Sequence, residues 1–259
     1  GVRWVGNEKG HAADTTWETF TPEGIDGGAP GPGSMDYTTS PTGTRNGKYW
    51  IPAECDVPLR PGWFWHKGEQ PKTPEELFDI YIHSVGRAGN MDLGLAPGTT
   101  GQLSDADVKS LKGFGRILKN TFAENLAEDA DFKPSNVRGN DPKDFGIQKL
   151  VDGDRYSYWA TDDSVHTPSL EVDLKAPQTF DIIQLRENIK LGQRIGSVAV
   201  DVWKEGKWQE VATATGIGAN RLIRLPQPVT TEKVRLRVTD APVCIALSDF
   251  GLYKYVAGE

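Results

Sequence analysis

From about Phe132 onward the chain alternates. Residues 169–174, 180–185, 197–203, 208–212, 221–225, 233–238 and 250–253 each set apolar against polar positions with a period of two, and Gly, Pro or Asn separates the runs. Successive side chains of a strand point to opposite faces, so each run has one apolar face to bury. Many such runs in succession bury it against one another as an antiparallel sandwich. Residues 131–259 are therefore predicted to form an all-β domain.

Residues 1–130 have a different texture. Thr73-Pro-Glu-Glu76 reads as a helix start, with Thr73 as N-cap, Pro74 at the first helical position and Glu76 reaching back to the cap amide. Leu77, Ile80, Tyr81 and Val85 would form its apolar face. Ser104-Asp-Ala-Asp107 opens a second helix in the same way, with Val108, Leu111, Phe114, Leu118 and Phe122 at spacings of three and four. Short strand-like runs stand at 2–5, 48–53 and 90–95. Strands alternating with helices belong to a βα repeat. Between Gly24 and Gly47 the chain is too rich in Gly and Pro for regular structure, and a loop of that length in a compact domain is typically a lid or a binding loop.

The 259 residues carry a formal charge of -7, which argues against nucleic acid or an anionic membrane as partner, since both select basic surfaces. No apolar run is long enough to span a bilayer. The chain opens on Gly1 without a Met or signal-like run, so the start of the gene product is expected to lie elsewhere. Cys55 and Cys244 fall in different predicted domains and read as two free thiols. His11, His83 and His166 are scattered, and neither His nor Cys shows metal-ligand spacing, which argues against zinc.

Four separated motifs carry a resemblance: Arg3-Trp-Val-Gly-Asn-Glu8, Trp50-Ile-Pro-Ala-Glu-Cys-Asp56, Arg60-Pro-Gly-Trp-Phe-Trp-His66 and Asn90-Met-Asp-Leu-Gly-Leu-Ala-Pro97. Together they resemble the α-L-fucosidases of glycoside hydrolase family 29, and within it the subgroup that cleaves α-1,3 and α-1,4 fucosyl branches. The second half, through Leu150-Val-Asp-Gly-Asp154, Tyr158-Trp159-Ala160, Leu170-Glu-Val-Asp-Leu174 and Ala246-Leu-Ser-Asp-Phe250, resembles the discoidin or coagulation-factor C-type module, a jelly-roll relative of many carbohydrate-binding modules. The implied architecture is multi-domain, α/β followed by all-β. Residues 1–130 would be the last strands and helices of a (β/α)₈ barrel and residues 131–259 a jelly-roll-like sandwich. A closed barrel of this kind needs eight strands, and about three are present. The resemblance therefore implies a missing N-terminal barrel portion.

The resemblance implies retaining hydrolysis, in which one carboxylate attacks the anomeric carbon and a second acts first as acid and then as base. The family's nucleophile maps to no Asp of this chain. Its general acid/base maps onto Glu8. Glu54 is a supporting residue or the rival acid, or else a structural partner for Arg60 or Arg3, and Asp56 reads as a carboxylate accepting loop amides. Trp63, Trp65 and His66 are candidate substrate-binding residues, because pyranose C–H groups pack on aromatic rings; the tryptophans are alternatively core. Trp4 and Trp17 would wall the acid or simply pack.

The implied substrates are fucosylated oligosaccharides or glycoconjugates, with no cofactor for catalysis. Relatives of the sandwich suggest a structural calcium on Asp152, Asp154, Ser157 and Asp249, hard oxygen donors suited to that ion; the competing reading is an Asp-Gly turn beside an unrelated Asp. The resemblance further implies secretion or a periplasmic location. A non-catalytic glycan-binding protein is the rival class.

Overall fold

A computed structural model describes residues 1–21 and 40–258. Most of the glycine-rich loop expected between Gly24 and Gly47 lies outside the described residues. The chain divides into two compact units, Gly1–Ala123 with Val256–Glu259, and Glu124–Tyr255. The division falls somewhat ahead of the 130/131 break read from sequence, because Leu126 already packs on the sandwich core and its amide donates to Leu252 O at 2.9 Å.

In the first unit β1 (Arg3–Trp4), β2 (Thr19–Phe20), β3 (Tyr49–Trp50), β4 (Ala53–Pro58), α1 (Pro74–His83), β5 (Asn90–Gly94) and α2 (Asp105–Thr121) follow in order. β1, β4 and β5 form a three-stranded parallel sheet with β4 central, and β2 pairs antiparallel with β3. The strand predicted at 48–53 is thus two: Tyr49–Trp50 joins β2, and a new strand begins at Ala53. Glu54 and Asp56 consequently lie inside β4, not past a strand end. Alternation decides which way they face, for Ala53 and Cys55 are buried with Val5 and Ala12 and Val57 with Leu77 and Ile80, while Glu54 and Asp56 point to the opposite side.

Both helices start as the sequence indicates. Thr73 Oγ1 accepts from the Glu76 amide at 3.2 Å and Glu76 Oε2 accepts from the Thr73 amide at 2.7 Å; Ser104 and Asp107 repeat the exchange at 3.2 and 3.1 Å. α1 buries Leu77, Phe78, Ile80 and Ile82. The predicted face of α2 packs inward, Leu111 and Phe114 against Val57, Leu59, Leu77 and Ile80 and Phe122 against Phe78 and Tyr81, while Asp107, Ser110, Gly113, Ile117 and Thr121 beside it are the most deeply buried. Small side chains on that face permit close approach. A Cβ at Gly113 would meet Pro74 Cγ at 2.5 Å.

The second unit contains β6 (Asp131–Pro134), β7 (Trp159–Ala160), β8 (Ser169–Glu187), β9 (Ser197–Lys204), β10 (Lys207–Thr215), β11 (Arg221–Asp240) and β12 (Ala246–Tyr253). Two pairs of predicted strands are fused: 169–174 with 180–185 in β8, and 221–225 with 233–238 in β11. Their register shifts between Arg224 and Val229 and again between Thr231 and Lys233. These irregularities let each strand serve both layers of the sandwich. The first half of β8 pairs with β6 and the second half of β11 with β9, while the remaining half of β8 pairs with β12. The core between the layers includes Trp159, Phe180 and Phe250, all fully buried. Cys55 and Cys244 are free and buried, as expected.

Candidate active site

The parallel register brings carboxylates of distant sequence onto one face of the first unit's sheet. Trp4 stands opposite Glu54, Glu54 opposite Asn90, and Asp56 opposite Asp92. Trp4 Nε1 donates to Asp56 Oδ1 at 2.5 Å, so Asp56 is held by an indole across the sheet and not by the loop amides expected. Burial first, then the negative charges of Asp56 and Asp92, push the Glu54 carboxyl above its ordinary value of 4.5. The expected arginine partners are engaged elsewhere. Arg60 pairs with Asp107 at 3.0 Å and donates to Glu69 O at 2.7 Å, and Arg3 donates to Ser40 O at 2.8 Å and Ile51 O at 2.6 Å.

Glu8 stands on the turn that follows β1. Gly6, at φ 80°, reverses the chain, Asn7 Nδ2 donates to His11 O at 3.0 Å, and the Gly10 amide donates to Asp56 O at 3.0 Å. Gly10 is also required by contact, since a Cβ there would meet Ile80 Cγ2 at 2.6 Å. On this braced turn Glu8 Oε2 accepts from Trp63 Nε1 at 3.0 Å. The Trp63 ring covers the end of β5, where a Cβ on Gly94 would meet it at 2.5 Å. With 39 % of its surface exposed, Trp63 is not core. Trp65 is half-buried beside Gly98, and His66 is exposed; neither is brought to Glu8 by a hydrogen bond. The loop bearing all three is tied down by buried Arg60 on the N-terminus of α2. Glu8 also borders an open cleft of about 600 Å³ whose other walls include Pro61, Lys72, Glu76 and Asp79.

Sequence reasoning missed Asp92 as the partner of Glu54. Its signal was present in the alternation of Asn90 and Asp92 on one face, but the register that sets them beside Glu54 and Asp56 is tertiary. It also missed a second grouping. His11 and His83, far apart in sequence, have ring centroids 4.8 Å apart and share their surroundings with Asp79.

In the sandwich Asp152 and Asp154 form a tight turn. The Asp154 amide donates to Asp152 Oδ1 at 2.9 Å, Ser157 Oγ to Asp152 Oδ2 at 2.7 Å, and the Tyr156 amide to Asp154 Oδ1 at 2.9 Å. Asp249 lies 3.6 Å from Arg186. Burial pushes its carboxyl up, Arg186 pulls it down, and the charge of Asp152 raises it again. The turn and Asp249 are therefore electrostatic neighbours.

Residues 134–248 match the F5/8 type C domain, and the sandwich is a domain of that class. The chain as a whole is homologous to α-L-fucosidases of glycoside hydrolase family 29. It is 35 % identical to Alpha-L-fucosidase 1 of Arabidopsis thaliana over 254 residues, which is 97 % of this chain and 49 % of that protein. Among solved structures, SpGH29 superposes with a TM-score of 0.89 at 34 % identity, covering 98 % of this chain and 54 % of the other. A Ruminococcus gnavus GH29 fucosidase in complex with fucose gives 0.87 at 31 % identity, covering 98 % and 51 %. The chain spans about half the length of these relatives.

Proposed function

We propose that this chain forms the acid/base half of a retaining exo-α-L-fucosidase of glycoside hydrolase family 29, acting on α-1,3- and α-1,4-linked fucose. The three-stranded sheet is read as the end of a (β/α)₈ barrel whose remaining strands carry the nucleophile. The observation that carries the reading is Glu8 on the turn after β1, fixed by the Trp63 indole. A donor at Oε2 favours charge on that oxygen and leaves Oε1 to hold the transferable proton. Oε1–H protonates the glycosidic oxygen as the fucosyl C–O bond breaks, and the resulting carboxylate then removes a proton from the water that releases fucose. Glu54, whose carboxyl burial and the charges of Asp56 and Asp92 hold above its ordinary value, supports the site and does not act as the acid. Trp63 offers a ring face to the sugar, with Trp65 and His66 on the same loop.

The sandwich is assigned a supporting role in glycan binding, with a structural calcium at Asp152, Asp154, Ser157 and Asp249. The donors fit a hard cation: all are oxygens, and a cation would offset the repulsion that Asp249 experiences from Asp152. Secretion or a periplasmic location accords with fucosylated glycoconjugates as substrates.

The test uses this chain joined to the remaining barrel. Glu8→Ala should lower turnover of substrates with poor leaving groups by about 10²–10⁴-fold; with activated aryl fucosides it should spare the first step but leave hydrolysis of the glycosyl-enzyme slow. Azide, which needs no deprotonation, should rescue the latter as fucosyl azide. Rescue in Glu54→Ala with none in Glu8→Ala would exchange the two roles.

A further inference from the structure

Among the described residues His11, Asp79 and His83 form a cluster whose ligand atoms all lie within 4.8 Å of one another. Asp79 and His83 are four residues apart on α1 and so share a face. His83 Nδ1 lies 2.8 Å from Asp79 O and 3.3 Å from Asp79 Oδ2. A carbonyl oxygen only accepts, so Nδ1 carries the proton and Nε2 holds the ring's lone pair. This is the arrangement that sets a histidine as a metal ligand: one ring nitrogen oriented by an oxygen, the other free.

The third group is delivered by backbone, not by chance of rotamer. The Ala12 amide donates to His83 O at 2.9 Å, and Arg87 Nη1 donates to Ala12 O at 2.6 Å. Together with the bonds to Asn7 and Gly10 described above, these pin His11 on both sides. The rings of His11 and His83 then face one another at 32° between planes. His11 and Asp79 both border the cleft that contains Glu8, so a ligand reaches them from solvent.

We propose that His11, Asp79 and His83 bind a divalent transition-metal ion, Zn²⁺ in the first instance, with open positions filled by water. Two imidazoles and one carboxylate match the ligand softness of Zn²⁺ and of Ni²⁺ or Cu²⁺, and not that of Mg²⁺ or Ca²⁺. Metal–nitrogen bonds near 2.0–2.1 Å place tetrahedral ligand atoms about 3.4 Å apart, so the side chains close by roughly 1 Å on binding. Asp79 and His83 are half-exposed and have that freedom. A bound ion would clip the turn after β1 to α1, three residues from Glu8. Metal binding itself is independent of the fucosidase reading.

The full chain, stripped with chelator, is titrated with Zn²⁺ by calorimetry and with Co²⁺ by visible absorption. One saturable site is expected, competed by Ni²⁺ and indifferent to Ca²⁺, with Co²⁺ d–d bands and no thiolate charge transfer. His11→Gln and His83→Gln should each weaken binding at least about tenfold, or 1.4 kcal/mol, while Cys55→Ser, Cys244→Ser and Asp152→Ala leave it unchanged. In the unmutated chain Zn²⁺ should protect His11 and His83 from diethyl pyrocarbonate, a readout indifferent to how the variants fold. Absence of saturable binding, binding that survives the double His variant, or modification of both histidines unaffected by Zn²⁺ overturns the proposal.

Discussion

The two units spend their polar residues differently. In the sandwich the inner faces of both layers are apolar and meet each other, so Trp159, Phe180, Leu185, Val200, Leu236 and Phe250 are sealed in one continuous core. In the first unit, among the described residues, apolar clusters gather around Val5, Ala53 and Cys55 and around Val57, Leu77 and Ile80. The opposite face of its sheet carries Trp4, Glu54, Asp56 and Asp92. Parallel sheets normally bury both faces. In the first unit that face carries three carboxylates, the group proposed above to line the site, whereas the sandwich closes its apolar faces on one another.

The sharpest way to break that contrast is truncation of one tryptophan in each unit. Trp159 is fully buried and its Nε1 donates to Asn136 O at 2.9 Å, so Trp159→Ala should cost about 3–5 kcal/mol in a denaturant titration. Trp63→Ala, at an exposed ring, should stay within about 0.5 kcal/mol. Equal losses would show that the first unit depends on its site residues as the sandwich depends on its core.

Calcium sharpens the comparison by addressing the sandwich alone. A ligand that binds only the folded state adds about 2.7 kcal/mol at a hundredfold excess over its dissociation constant, and Asp152→Ala or Asp249→Ala should abolish the gain. Identical melting in calcium and in chelator would leave the Asp152–Asp154 turn a purely hydrogen-bonded one.

The smallest effect concerns Glu54. Because its folded carboxyl titrates above the ordinary 4.5, the folded state holds a proton that the unfolded state releases, and stability should fall as pH rises from about that value through the folded pKa. Glu54→Gln removes the titration and should flatten that segment of the curve. An unchanged slope in the variant would mean that the proton resides elsewhere in the Glu54, Asp56 and Asp92 group.

Much of this was legible locally. Capping boxes at Thr73 and Ser104, the alternation after Phe132 and the turn ending at Glu8 depend on residues within a few positions of one another, and such short-range chemistry survives in a linear string. The α2 face read from sequence packs inward, but Gly113 and Ser110 beside it are buried for their small size, which hydrophobicity does not report. The fusion of predicted strands into β8 and β11 was invisible because exposed residues at the crossing look like a loop.

The sequence by itself determined the two textures, the helix starts and the motif that points to Glu8. Tertiary structure alone decided that Trp63 meets Glu8, that the charge of Asp92 reaches Glu54, and that His11 faces His83. Each of those pairs joins residues separated by tens of positions. Their meeting depends on sheet register and on how closely a helix can approach a strand, and both are set by the packing of the whole unit, where a shift of one residue would turn every side chain to the other face.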